Sequence, residues 1–222
     1  MSEQSWILAS NSPRRRELLN LFGRDFAVCP ADVDESLLPN ESPGVYVSRL
    51  AEKKAAAVAE HAEQSVLILA SDTTVADGNQ ILGKPADEAE AFEMLTQLRD
   101  RVHQVYTAIC LYEPKQGKMV TELCVSDVPM RSYSDEEITL YIRSGDPMDK
   151  AGGYAIQNKA FHPVEDFRGC FASVMGLPLC HLTRALWKLG EEIKINVPIA
   201  CQKHLNYDCP IHAAVLAGEN IG

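Results

Sequence analysis

Apolar residues fall along this chain in short blocks whose spacing changes from one segment to the next. Trp6-Ile7-Leu8-Ala9 is a brief apolar run and reads as a strand. Ser10-Asn11-Ser12-Pro13 interrupts it. Ser12 suits a helix N-cap and Pro13 the first helical position, so a helix follows, with Leu18, Leu19 and Phe22 on its apolar face and Gly23 at its end. Glu41-Ser42-Pro43 opens a second helix over about 44–62, where Val47, Leu50, Ala51 and Val58 form a stripe at helical spacing. Lys54 falls on that same stripe. Val66 to Ala70 is a continuous apolar run, the pattern of a strand covered on both faces, and it continues to Ala76. Asp77-Gly78 signals a hairpin, with Gln80-Ile81-Leu82 returning and Gly83-Lys84-Pro85 stopping the strand.

Asp87 and Glu90 stand at capping-box spacing before a helix over about 88–99. Residues 102–112 and 119–130 read as two longer strands joined near Gly117. Ser134 and Glu137 repeat the capping box before Ile138, Tyr141 and Ile142. Residues 145–153 read as loop, and 154–157 as a short strand. Leu179, Leu182, Leu186 and Leu189 mark a last long helix ended by Gly190. Helices and strands alternate without strict βαβ regularity, so a mixed α/β sheet with flanking helices is expected. Residues 1–195 then form one domain. Residues 196–222 lack periodicity and read as a C-terminal appendage carrying Cys201, His204, Cys209 and His212.

Charge narrows the function classes. The net charge is −10, from 31 acids against 21 bases, which disfavours nucleic acid and anionic membranes as partners. A polyanionic ligand then requires local convergence of a few cations. No basic segment followed by a long apolar run opens the chain, and no stretch reaches the length of a membrane span. A cytoplasmic location is expected, with the seven cysteines as thiols or metal ligands.

Candidate chemistry clusters at breaks between elements. A strand, a small-residue turn and a helix start make a natural anion site, and Arg14 and Arg15 add forked donors that match phosphate oxygens. Local structure offers no reason for arginines in a first turn, where they oppose the helix dipole. Asp72 directly follows an apolar strand, where an unpaired carboxylate is costly; the alternative is a turn-forming Asp. If Asp77-Gly78 are the hairpin loop, Asp72 faces Gly83. If Gly78-Asn79 are the loop, Thr73 faces Lys84. Either register sets Lys84 within one residue of Asp72 across the strands. Lys54 either snorkels to solvent or points at phosphate from a cleft wall. Glu35 sits in an acidic loop, and with Asp72 it makes a carboxylate pair able to hold Mg²⁺ or activate a water. The tail's four Cys and His residues either hold zinc or are free thiols and surface histidines.

Taken together, Leu8-Ala9-Ser10-Asn11-Ser12-Pro13-Arg14-Arg15, Val33-Asp34-Glu35, Arg49-Leu50-Ala51 to Lys54-Ala55, Ser71-Asp72-Thr73, Gly83-Lys84-Pro85, Asp149-Lys150-Ala151-Gly152 and Val174 to Leu179 resemble the signatures of the Maf family of nucleotide pyrophosphatases, in order, over about 6–190. The resemblance implies a Maf/ITPase-like fold, two lobes around a deep nucleotide cleft, often in homodimers. It implies Mg²⁺- or Mn²⁺-dependent cleavage of a nucleoside triphosphate between its α- and β-phosphates. Asp72 matches the family's general base, and Ser12, Arg15, Glu35, Lys54 and Lys84 match its other cleft positions. Arg14, Thr73 and Gln157 match the branch acting on dTTP and UTP. A primary amide at Gln157 also suits a pyrimidine imide edge, since it both donates and accepts. The chain departs from the family after Gln157, where Asn158-Lys159-Ala160-Phe161-His162 replaces a glycine-rich turn. The other function implied by the resemblance is a nucleotide-binding regulator of cell division and septum formation that does not depend on hydrolysis.

Overall fold

A computed structural model describes residues 5–222 of the chain. Its centre is a six-stranded mixed sheet built from β1 (Trp6–Leu8), β2 (Phe26–Val28), β3 (Leu67–Asp77), β4 (Gln80–Leu82), β5 (Val102–Glu113) and β6 (Lys118–Pro129). The strands lie in the order β2-β1-β3-β5-β6, with β4 also on β3. β1 runs parallel to β2 and β3, while β3, β5 and β6 are antiparallel neighbours.

The helices are α1 (Pro13–Asn20), α2 (Pro43–Ala59), α3 (Glu88–Leu98), α4 (Asp135–Arg143), the short α5 (Phe171–Val174), α6 (Leu179–Leu189), α7 (Val197–Leu205) and α8 (His212–Leu216). Alternation along β3 sets the two sides of the core. Ile68 and Ala70 pack with Val47, Ala51 and Ala55 of α2. Leu67 and Leu69 face the larger cluster that includes Leu182 and Leu186 of α6. The uninterrupted apolar run at the start of β3 therefore reflects burial on both faces. Ser134 and Glu137 close a reciprocal box; Asp87 Oδ1 accepts from Glu90 N at 2.9 Å, but the Glu90 carboxylate accepts from Ala86 N at 2.6 Å, so that box is only half formed.

One consequence of this topology positions the site. β1 pairs with β3 only through Leu69, and β4 begins its pairing at Val75. Between those points, residues 70–74 have a strand neighbour on the β5 side alone. The sheet thus opens into a gap where the strand direction of its neighbours changes, the kind of switch point where α/β proteins bind ligands. Asp72 lies in the gap.

Several expectations change. The hairpin loop is Gly78-Asn79, since Asp77 pairs with Gln80, and the ladder stops at Leu82, so Lys84 belongs to the loop beyond it. Tyr154 to Gln157 is not a strand: the segment turns away beneath α4, with the Ala155 N–H donating to Tyr141 Oη at 3.0 Å. Residues 145–153 hold two 3₁₀ turns. The tail is largely helical. Asn196 Oδ1 caps α7 by accepting from Ile199 N at 3.1 Å, a signal hidden by the absence of a long apolar stripe. Val197 and Val215 are buried, so α7 and α8 pack on the core beside α6.

The tail does not gather a zinc site, and no group of three or more His, Cys, Asp or Glu among the described residues is placed to hold a metal. His204 instead meets Glu17 at 2.7 Å, and His212 Nδ1 lies 2.8 Å from the Cys209 carbonyl. Cys201 and Cys209 face a small apolar cavity of about 20 Å³, together with Cys170 and Cys180. Burial pushes the Cys201 thiol up to about 12. No helix among the described residues is long and apolar enough to cross a membrane.

Candidate active site

The gap in the sheet opens into a cleft of about 690 Å³. Its lining brings together all of the cleft residues expected from the sequence: Ser12, Arg14, Arg15, Glu35, Lys54, Asp72, Thr73, Lys84 and Gln157. Because successive residues of a strand point to opposite faces, the gap lets two separate groups meet.

From the α2 side comes a line of three charges. Lys54 is buried, at 8 % exposure, and does not snorkel. Its Nζ lies 2.6 Å from Asp72 Oδ1 and 2.6 Å from Glu35 Oε1. Lys54 lies on the stripe of α2 that packs on the sheet, between Ala51 and Val58, at the level of the gap. α2 also fixes the loop that carries Glu35. Lys53 Nζ, Tyr46 Oη and Arg49 Nη2 donate to the consecutive carbonyls of Asp34, Glu35 and Ser36 at 3.0, 3.0 and 3.1 Å. Burial raises the Asp72 carboxyl above its ordinary range, and Lys54 and then Arg15 pull against that shift.

From the opposite side comes Arg15. Its Nε donates to the Gly176 carbonyl at 3.0 Å, Nη1 to Ser10 Oγ at 3.2 Å and Nη2 to Thr73 Oγ1 at 3.2 Å. A guanidinium has five N–H donors, so one on each terminal nitrogen stays available. Removal from water works against the Arg15 charge, and Asp72 supports it. The Gly176 carbonyl is itself held 2.8 Å from Ser71 Oγ. Gly176 has φ +106°, and a Cβ there sits 3.2 Å from Arg15 Nε. The position therefore requires glycine twice over, for its backbone and for the approach of Arg15. Thr73 Oγ1 also lies 3.0 Å from Thr107 Oγ1, so its hydroxyl forms part of the floor.

The remaining residues line the rim. Lys84 is exposed and makes no hydrogen bond or ion pair with the described residues. Gln157 likewise leaves its amide unpaired. Arg14 Nη1 reaches Asp149 Oδ2 at 3.4 Å. At the start of α1, Ser12 Oγ accepts from Arg15 N at 3.4 Å, a long contact that leaves the helix N-terminus open to an anion.

Sequence reasoning assigned no role to Ser10, Ser71, Asp149, Lys150 or Gly176. Their signal was present only as membership in recurring short motifs; nothing local in the chain says that a carbonyl after α5 will hold a guanidinium from α1. As for a cation, Asp72 and Glu35 supply two hard carboxylates that share one ammonium, with no third acid or histidine grouped with them among the described residues. That donor set fits Mg²⁺ or Mn²⁺, which take one or two carboxylates and complete their shell with water and phosphate oxygens.

The sequence matches the family described as Maf-like protein over residues 5–189. It is 44 % identical over 187 residues to a dTTP/UTP pyrophosphatase of Desulforamulus reducens, covering 84 % of this chain and 97 % of that protein. It is 44 % identical over 190 residues to one of Citrifermentans bemidjiense, covering 86 % and 98 %. Against a dTTP/UTP pyrophosphatase of Hahella chejuensis the identity is 43 % over 189 residues, covering 84 % and 93 %. A solved structure of the Staphylococcus aureus Ham1 protein aligns with 97 % of this chain and all of that one, at 14 % identity and a TM-score of 0.43.

Proposed function

The chain belongs to the Maf family, and from that premise we propose that it is a nucleoside triphosphate pyrophosphatase that cleaves dTTP and UTP to the monophosphate and pyrophosphate. The observation that carries this reading is the meeting, in the sheet gap, of a buried carboxylate with a half-satisfied guanidinium. Asp72 is bound to Lys54 on one side, and Arg15 keeps donors free on the other. A regulator that only bound nucleotides needs the cations of this cleft but not a carboxylate buried among them, which repels a triphosphate and is costly to desolvate.

The triphosphate lies in the cleft with its phosphates toward the start of α1, Arg15 and Lys84. A water held by Asp72 attacks the α-phosphorus, and Asp72 takes its proton. The bridging bond to the β-phosphate breaks, and the electron pair leaves with pyrophosphate. Arg15 and Lys84 stabilise the charge that develops there. Lys54 keeps Asp72 and Glu35 aligned. Asp72 and Glu35 are the residues that would hold a divalent cation, which would supply neutralisation of phosphate charge. Gln157, Arg14 and Thr73 surround the base. Family membership also supports assembly as a homodimer and a cytoplasmic location as parts of this proposal.

The test is pyrophosphate release from dTTP, UTP, CTP, GTP and 7-methyl-GTP with Mg²⁺ or Mn²⁺. Turnover of dTTP and UTP ahead of the others is expected, and release from none of them overturns the reading. Asp72→Asn is expected to lower kcat by about 10³-fold, within the range of general-base catalysis. Because burial raises the Asp72 carboxyl, the acid limb of kcat/KM is expected above the ordinary Asp range near about 4. An Asp72→Asn enzyme with full turnover removes Asp72 from the mechanism.

A further inference from the structure

Selectivity for thymine or uracil over cytosine is not explained by Gln157 alone. A primary amide can turn over and serve either an imide edge or an amino-pyrimidine edge. A guanidinium only donates, so it accepts a base carbonyl and rejects an amino group. Reading a base with two carbonyls therefore depends on holding Arg14 at a set distance from Gln157. The two residues lie far apart in the chain, and something must tie them together.

The structure contains such a tie, and it runs through Asn158. Asn158 Oδ1 accepts from Ala160 N at 3.1 Å and Phe161 N at 2.8 Å, closing the turn that follows Gln157. Asn158 Nδ2 donates to Asp146 Oδ2 at 3.0 Å. Tyr141 Oη donates to the same oxygen at 2.7 Å and accepts from Ala155 N at 3.0 Å, two residues before Gln157. Asp146 Oδ1 lies 2.9 Å from Lys150 Nζ, which is buried at 8 % exposure. Lys150 Nζ then reaches Asp149 Oδ1 at 2.5 Å, and the other oxygen of Asp149 meets Arg14. The links from Asn158 to Asp146, Lys150, Asp149 and Arg14 each involve at least one charged group. Asp149 and Lys150 also line the cleft.

We propose that Asn158, Asp146, Lys150 and Asp149 form a positioning relay that sets the separation of Gln157 and Arg14 and so selects a pyrimidine with an imide edge. The inference rests on the proposed pyrophosphatase reading for its substrate class, and it deepens that reading by naming what sets the base preference. Glycine in place of Asn158 leaves no side chain to join the turn to Asp146.

Two variants separate the relay from general folding. Asn158→Asp keeps the acceptor that closes the turn, but it replaces the donor to Asp146 with a like charge. Asp149→Asn acts on a side chain that is 61 % exposed and weakens the last link to Arg14. The measurement is the ratio of dissociation constants for UMP and CMP by calorimetry, alongside kcat/KM for UTP and CTP and the thermal midpoint. The native chain is expected to prefer UMP. Each variant is expected to lose about tenfold of that preference, mainly in KM and binding, as expected for a mispositioned specificity group, with the midpoint nearly unchanged. A native chain that binds UMP and CMP equally overturns the relay. So does an unchanged ratio in both variants, whatever happens to turnover. The nucleoside monophosphates are not hydrolysed, so a chain that releases no pyrophosphate fails the pyrophosphatase reading while the UMP-to-CMP ratio still decides this one.

Discussion

Arg184 and Arg15 are both held by oxygen atoms, and they are held to opposite ends. Arg184, on α6, is 7 % exposed. Its Nε and Nη2 bind Glu122, its Nη1 donates to the Val215 and Glu219 carbonyls, and Nη2 also donates to Asn220 Oδ1. All five donors are used and the charge is neutralised. Lys188 adds a second cation 2.6 Å from Glu122. Arg15 has only neutral partners in direct contact, a carbonyl and two hydroxyls, and keeps two donors open. The saturated arginine fastens the C-terminal segment to the sheet. The unsaturated one leaves positive charge facing a cleft. Full satisfaction gives structure, and partial satisfaction leaves an anion site.

Swapping the same substitution between the two sites tests this contrast most sharply. Arg15→Met is expected to reduce kcat by about 10²- to 10³-fold, as for loss of a charge-stabilising donor, while the melting temperature moves little. Arg184→Met is expected to leave kcat of the folded enzyme intact. It should cost about 3 kcal/mol of stability, because Glu122 is left buried with only Lys188. Denaturant melts and steady-state kinetics on both variants decide it. If each substitution lowers both quantities alike, the two sites do not differ as described.

Gly176→Ala is a milder probe of the Arg15 site. The φ of +106° disfavours alanine, and the new Cβ presses on Arg15 Nε. A strain of roughly 1–3 kcal/mol is expected, with about a tenfold loss in kcat if Arg15 shifts. A variant with native kinetics shows that the Gly176 carbonyl does not position Arg15.

A further prediction concerns pH and leaves catalysis aside. His103, 2 % exposed, meets Tyr154 Oη at 2.7 Å, while its Nδ1 has no partner. Burial lowers its pKa to about 4, with Asp77 opposing. The unfolded chain therefore binds the proton more readily than the folded one. Stability is intact above about 6.5, the ordinary His value, and is lost as pH falls from there toward about 4. The full loss amounts to at most about 3 kcal/mol. His103→Gln is expected to flatten that part of the stability-versus-pH curve, and an unchanged slope assigns it to other groups.

Much of the scaffold was legible in the residues themselves. Ser12-Pro13, Asp87 with Glu90, and Ser134 with Glu137 marked three helix starts, and Gly190 an end, because caps act within one turn. The double-sided burial of β3 showed in its unbroken apolar run. Lys54 was ambiguous, since a lysine on an apolar stripe reads the same whether it snorkels or points into a cleft. Tyr154 to Gln157 misled, because a short apolar run does not distinguish a strand from a buried turn. The tail misled too: once α7 and α8 pack against α6, Cys201 and Cys209 face an apolar cavity, while His204 meets Glu17 and His212 the Cys209 carbonyl.

By itself, then, the sequence determined the kinds and order of the main elements, the family, and the short motifs from which the cleft is made. Those rest on local spacing, caps and turns, which act over a few residues. The tertiary structure decided that β1 ends before β4 begins, so that Asp72 lies in a gap open to both faces of the sheet. It also decided that a carbonyl after α5 holds Arg15, that Arg184 is closed by the tail, and that Asn158 is joined to Arg14 through three intervening charges. Such meetings depend on contacts between residues far apart in the chain, and no local pattern specifies which distant polar group will arrive to satisfy another.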